Sequence, residues 1–365
     1  MRWLISPRDG PSKYSLEERR IVSRECATAS LEQFKRWPGY LPSPLRNLSA
    51  LAEQLGIGSV LYKDESARFG LGSFKALGGT YAAARALARV TSSSTLGSAD
   101  TSVGSRTFCC ATDGNHGRAV AFAAKRLGLD CVVFMHAGAP ERKADAIRAL
   151  GARVIRTPGN YDDSVAIAAE AARSNGWIAV MDTSSAEFDE TVADVMNGYA
   201  ASALEVYNQL NGRELTHVFV QAGVGGLAAA VAGTFTEVFG EDRPLCVVVE
   251  PERAACILEC ARHGAPTRLQ GELHTAMAML SCGEASRLAW TILKHRADAF
   301  VAIEDQAAIA ACEVLTKLGL DVGVSGAASL AGLIEVLRND VLRQQLRIGG
   351  SSCVLVFGTE GADAH

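Results

Sequence analysis

Cys131-Val132-Val133-Phe134 is apolar at every position. A strand without polar alternation is covered on both faces, which is the mark of a parallel sheet between helices. Reading outward, 107–111 is predicted as a strand and 115–127 as a helix on one side. On the other, 139–150 reads as a helix, 153–156 as a strand, 162–174 as a helix and 178–181 as a strand. A long helix from 190 to about 210 opens a second alternating series, with strands at 217–221, 245–250, 299–303 and 353–357. A short strand at 60–63 precedes both series. The fold class expected is α/β, with two open, mostly parallel twisted sheets flanked by helices. Ahead of these lies a polar N-terminal arm. The proline-rich 37–44 cannot be regular structure, and a helix runs from 47 to near Gly56. This region reads as a lead-in and not a domain.

The size fits two sheets. A chain of 365 residues with 48% hydrophobic content exceeds the length at which one core stops growing. A net charge of −4 without long Lys/Arg clusters argues against nucleic-acid or membrane partners. No apolar run approaches the roughly 20 residues of a membrane span, and Pro7 interrupts the start before a signal-type segment can form. A cytoplasmic location is expected. The ten cysteines contain no Cys-x-x-Cys pair. Cys256 and Cys260 share a helix face without a second ligand pair, so buried thiols and no metal are expected. The Ser/Thr-rich stretch 91–105 reads as a surface excursion.

In open α/β sheets ligands bind beyond the strand C-termini, so the post-strand loops carry the chemistry. Gly70-Leu71-Gly72-Ser73-Phe74-Lys75-Ala76-Leu77-Gly78-Gly79 places a lone lysine at a helix start, with no acidic neighbour in sequence and Ser73 positioned as a cap. The helix N-terminus and apolar burial both disfavour a second positive charge. A lysine neutral near pH 7 can attack a carbonyl and hold a Schiff base, as pyridoxal phosphate requires. The same pattern also describes a lysine that snorkels from a helix end.

Three more loops stand out. Asp113-Gly114-Asn115-His116-Gly117 offers an acid, an amide and an imidazole, or an Asx-capped turn. Gly223-Val224-Gly225-Gly226-Leu227 can converge backbone N–H groups on an anion at a helix start, or serve as a close-packing turn. It lacks the Gly-x-Gly-x-x-Gly spacing of a dinucleotide site. In Gly358-Thr359-Glu360-Gly361 a hydroxyl could meet a heteroaromatic nitrogen or cap a turn.

Together these motifs resemble the fold type II pyridoxal-phosphate enzymes, the group of threonine dehydratases, serine racemases and tryptophan synthase β chains. The stretches Lys63-Asp64-Glu65-Ser66-Ala67-Arg68-Phe69 and Leu71 to Gly79, with Thr112-Asp113-Gly114-Asn115-His116-Gly117-Arg118, look closest to the diaminopropionate ammonia-lyases. The aspartate before Gly-Asn-His is the discriminating letter. The similarity runs from about Trp37 to about Gly361.

The resemblance implies that Lys75 holds pyridoxal 5'-phosphate, Asn115 contacts its ring hydroxyl and Gly223, Val224, Gly225, Gly226 and Leu227 cradle its phosphate. Thr359 is the candidate for the ring nitrogen. Asp113 is implied as an acid/base group, and Asp113, His116 and Asp182 as the substrate side. The implied activity is α,β-elimination of 2,3-diaminopropionate to pyruvate and ammonia. A dehydratase or lyase acting on serine, threonine or another β-substituted amino acid is the alternative, and a non-catalytic binding homologue a further one. A homodimer is expected. Residues 1–79 with 186–365 would form a large cofactor-binding domain, and 80–185 a small one. Two places depart from the family pattern. Ser184-Ser185-Ala186-Glu187-Phe188 stands where an aromatic, acidic and glycine sequence is expected, and Gly358 where a hydroxyl residue is expected.

Overall fold

The computed structural model describes residues 1–6, 13–91, 106–112, 114–183, 186 and 188–362. The strands are β1 (Arg2–Ile5), β2 (Leu45–Asn47), β3 (Ser59–Asp64), β4 (Thr107–Ala111), β5 (Asp130–His136) and β6 (Arg153–Thr157). They continue with β7 (Ile178–Ala179), β8 (His217–Gln221), β9 (Leu245–Pro251), β10 (Ala299–Ile303) and β11 (Cys353–Gly358). Among the described residues they form a seven-stranded sheet, ordered β1-β10-β9-β8-β11-β3-β2, and a four-stranded sheet, ordered β6-β5-β4-β7.

Five neighbouring strands of the larger sheet, from β10 to β3, run parallel, as do all four of the smaller one. Burial on two faces explains the apolar runs. In β5, Cys131, Val133 and Met135 enter the main core while Val132 and Phe134 enter a separate cluster behind the small sheet. In β11, Leu355 and Phe357 face the main core, and Val354 and Val356 face the second large cluster.

The N-terminal arm is a correction. β1 pairs antiparallel with β10, closing one edge of the large sheet. Helices Leu16–Ile21 and Arg24–Lys35 bury Ile21, Leu31 and Phe34 in the main core. β2 closes the opposite edge, antiparallel to β3. The sheet is therefore mixed at both edges. The helix expected from 47 is Ser49–Leu55, ended by Gly56 in the left-handed conformation. The excursion expected at 91–105 lies outside the described residues beyond Thr91.

The helix Lys75–Thr91 lies between Asn115–Leu127 and Glu190–Gln209. Its approach to the latter is close. A Cβ on Gly198 would meet the Leu77 carbonyl at 2.6 Å and the Gly78 Cα at 2.7 Å. Two glycines at this crossing let the helix that begins with Lys75 seat against the large sheet's helices.

Candidate active site

The loop before Lys75 is anchored from two directions. Behind it, Arg68 donates to Glu65 at 2.7 Å and to Glu205 at 2.8 Å, while the Lys63 ammonium donates to Glu205 at 2.7 Å. All four side chains are buried, and Ser43 and Ser202 donate to Glu65 at 2.8 and 2.5 Å. Two buried cations and two carboxylates balance in charge, and removing one member of such a set costs about 3–5 kcal/mol. In front, the Phe74 N–H donates to the Thr359 carbonyl at 3.0 Å and the Gly361 N–H to the Gly72 carbonyl at 3.0 Å. The end of β11 is thereby stitched to the lysine loop.

Lys75 is not isolated. Its ammonium donates to Asp182 Oδ2 at 2.8 Å. The carboxylate that sequence proximity does not supply comes from the fold: Lys75 is 26% exposed on its side chain and faces Asp182. Burial works to raise Asp182, but the Lys75 charge and hydrogen bond outweigh it, and the carboxyl is held well below its usual range.

His116 is buried and lies with Nδ1 4.0 Å from Asp182 Oδ2. Its Nε2 is 2.8 Å from the Val180 carbonyl. A carbonyl only accepts, so Nε2 carries the hydrogen and Nδ1 is the lone-pair side of a neutral ring. Burial lowers the His116 pKa, with the Asp182 charge opposing. Asp113 lies outside the described residues.

Asn115 opens its helix, 8% exposed, and donates through Nδ2 to Glu360 Oε2 at 3.2 Å. Its Oδ1 is buried without a hydrogen-bond partner. The Thr112 hydroxyl accepts from the N–H groups of Gly114 at 3.0 Å and Gly117 at 3.2 Å, shaping this turn.

The glycine loop follows β8 and leads into Gly226–Phe239 with no side-chain cap on its first N–H groups. Gly225 has φ +94°, and a Cβ there would sit 2.9 Å from Ile257 Cδ1. Gly225 therefore serves the turn and its packing. Gly226 is different, because its Cβ would meet Tyr199 at an ordinary 3.7 Å.

Thr359 is buried, and its hydroxyl oxygen accepts from Gln221 Nε2 at 2.9 Å. That leaves its O–H to donate, as an unprotonated ring nitrogen requires. A side chain at 358 would overlap the Tyr62 hydroxyl, which accounts for glycine there and leaves Thr359 as the hydroxyl at this end of β11.

Two polar residues were missed. Gln221 closes an apolar strand, and Glu360 lies between Thr359 and Gly361; a polar residue at a strand's C-terminal end was the available signal. Glu360 is buried, and burial, opposed by Ser325, Lys143, Asn115 and Lys75, pushes its carboxyl up to about 7.

A lysine at one helix start, an uncapped glycine turn at another, an orphaned buried amide oxygen and a donating hydroxyl fit pyridoxal phosphate. Residues 36–358 match the family model described as pyridoxal-phosphate dependent enzyme, and the chain belongs to that family. It is 37% identical over 350 residues to the diaminopropionate ammonia-lyase of Salmonella typhimurium, covering 90% of this chain and 87% of the relative. With the diaminopropionate ammonia-lyase of Escherichia coli K12 the identity is 36%, over 93% of this chain and 89% of the relative. The crystal structure of the Escherichia coli enzyme with an aminoacrylate-PLP azomethine reaction intermediate superposes with a TM-score of 0.89 at 34% identity. It covers 99% of this chain and 94% of that one. The structure of maize serine racemase gives a TM-score of 0.77 at 18% identity, over 94% of this chain and 94% of that one, a likeness of fold. The chain is a fold type II enzyme that uses pyridoxal phosphate.

Proposed function

We propose that this chain eliminates ammonia from 2,3-diaminopropionate, releasing pyruvate after hydrolysis. The observation that carries this reading is the Asp182 carboxylate, ionised by its environment and 2.8 Å from the Lys75 ammonium. A carboxylate there suits a substrate with a second, cationic amine, where a hydroxyl-bearing substrate would have no use for the charge. When bound, pyridoxal phosphate supplies an electron sink for the carbon that loses its proton.

Lys75 would hold the cofactor and then, freed by substrate, take the proton from Cα. The Cβ–N bond breaks with its electrons on nitrogen, and the cationic amine, already carrying its proton, leaves as neutral ammonia. Water then removes the remaining nitrogen, giving pyruvate and a second ammonia. Asn115 would meet the ring hydroxyl, Thr359 would donate to the ring nitrogen, and the N–H groups of Gly223 to Leu227 would hold the phosphate. Asp113 enters as an acid/base group on the family resemblance alone. Neutral His116 would hold Asp182 in place from the lone-pair side of its ring through water, since 4.0 Å between two acceptors excludes a direct bond.

The reading includes a large cofactor-binding domain of 1–79 and 186–365, a small domain of 80–185, a homodimer and a cytoplasmic location. The strands support the division, since β4 to β7 make one sheet and the others the second. Seven of the ten cysteines are buried thiols, in keeping with a reducing compartment. Among the described residues no helix is long and apolar enough to cross a membrane. The test is a substrate panel. Release of the 2-oxo acid from diaminopropionate should exceed that from serine (pyruvate) and threonine (2-oxobutyrate) by at least about tenfold in kcat/KM, which is about 1.4 kcal/mol of discrimination. A preference for serine or threonine would replace this reading with a dehydratase.

A further inference from the structure

The Asn115 amide has two chemically opposite ends, and only one of them is tied. Nδ2 donates to Glu360 Oε2 across 3.2 Å, while Oδ1 is buried without a partner. Asn115 and Glu360 are 245 residues apart and meet because Glu360 pairs with Ser73 in an isolated antiparallel bridge. That bridge links the end of β11 to the loop before Lys75. An ionised carboxylate can only accept, so it admits only the amide nitrogen. A protonated carboxyl can also donate, and Oδ1 is then an equally good partner.

We propose that Glu360 is a positioning residue for Asn115, its charge state fixing which end of the buried amide faces the cofactor's ring hydroxyl. With Glu360 ionised, Nδ2 is held at the carboxylate and the orphaned Oδ1 is the end that faces the ring hydroxyl. With Glu360 protonated, the amide is free to turn and present Oδ1 to the carboxyl. Burial places this change near neutral pH, with the carboxyl at about 7. Groups from other elements face it among the described residues. Lys143 of Glu141–Arg148 and Lys75 of Lys75–Thr91 favour the ionised form through their charge, and Ser325 and Asn115 do so by hydrogen bonding. His116, pushed below its ordinary value by burial, titrates lower. The proposal rests on the assignment of Asn115 to the ring hydroxyl.

The test is a pH titration of the visible absorbance of the holoenzyme, without substrate. The wild type should show one inflection near the Glu360 value, and Glu360→Gln, which keeps the shape and cannot ionise, should lose it. Should that variant not fold, Glu360→Asp keeps the charge but draws it back from Asn115, and the inflection should again be lost. Retention in either variant, or no inflection in the wild type, overturns the proposal. Asn115→Ala should alter the absorbance at every pH and abolish the inflection. An inflection that survives there means that Glu360 acts directly, which also overturns it. An Asn115→Ala spectrum identical to wild type at every pH would instead overturn the assignment of Asn115 to the ring.

Discussion

The Lys75 ammonium donates to Asp182 across 107 residues of sequence, and this contact joins the helix start of one segment to the loop after β7. A charged lysine is a poor nucleophile, so the pair has to be exchanged for the bond to the cofactor. Asp182 then keeps a negative charge beside the place the ammonium has left. In the proposed function, Lys75 bound to the cofactor would therefore lie next to a carboxylate ready to receive another cation.

Borohydride reduction of the holoenzyme should fix the cofactor to Lys75. Peptide mapping of the reduced protein checks this. A label on Lys63 or Lys143 would overturn the assignment, since both are also near the site and only one of the three opens a helix.

Asp182→Asn should weaken diaminopropionate far more than it weakens the cofactor, raising KM with a smaller effect on kcat. In the cofactor-free protein the same change removes a charged hydrogen bond, worth about 1.5–3 kcal/mol, toward the lower end because Lys75 is 26% exposed. The folded-state pKa of Asp182 is depressed, so its contribution to stability is full above the unfolded carboxylate value of about 3.9 and declines as pH falls below it. Denaturation of the cofactor-free protein at neutral and acid pH should show the wild-type advantage over Asp182→Asn shrinking on the acid side.

Adjacent glycines in the loop proposed to hold the phosphate should fail in different ways. Gly226→Asp places a carboxylate with room to fit beside the converging N–H groups, where a like charge at about 4 Å costs about 4 kcal/mol at an intermediate dielectric. Cofactor affinity, measured by fluorescence titration, should fall by about a hundredfold or more while the unliganded fold is retained. Gly225→Ala should instead lower the Tm of the cofactor-free protein, because φ is +94° and the new Cβ would sit 2.9 Å from Ile257.

The parallel strands were legible because burial on two faces leaves a local mark, as in Cys131 to Phe134. The edges were not. β1 is four residues long and begins with Arg2, and its pairing with β10 is decided by a sheet edge assembled nearly 300 residues later. The site divided along the same line. Lys75, Asn115 and the glycine loop announce themselves by local composition. The ionisation of Asp182, the tautomer of His116 and the amide orientation of Asn115 depend on partners brought in from β7, β11 and their loops. Gly358 looked like a departure from the family pattern, and only the position of Tyr62 gives its reason.

Tyr62 and Gly358 lie on neighbouring strands, β3 and β11, with their side-chain positions on the same face. The Tyr62 hydroxyl is buried with no hydrogen-bond partner, and its position is where a side chain at 358 would have to go. The phenol ring thus fills the space that a hydroxyl residue at 358 would take, at the cost of one unsatisfied group. Burying such a hydroxyl unpaired costs about 1–3 kcal/mol, so Tyr62→Phe should leave stability unchanged or raise it. Gly358→Ser should be strongly destabilising alone, by about 3 kcal/mol or more, since the tyrosine is held between strands and cannot withdraw. Paired with Tyr62→Leu, whose side chain is too short to reach position 358, the serine should cost much less than the sum of the two single changes. Chemical denaturation of the four proteins in this cycle measures the coupling. Additive effects would mean that the two positions do not compete for one space, and Gly358 would then need another explanation.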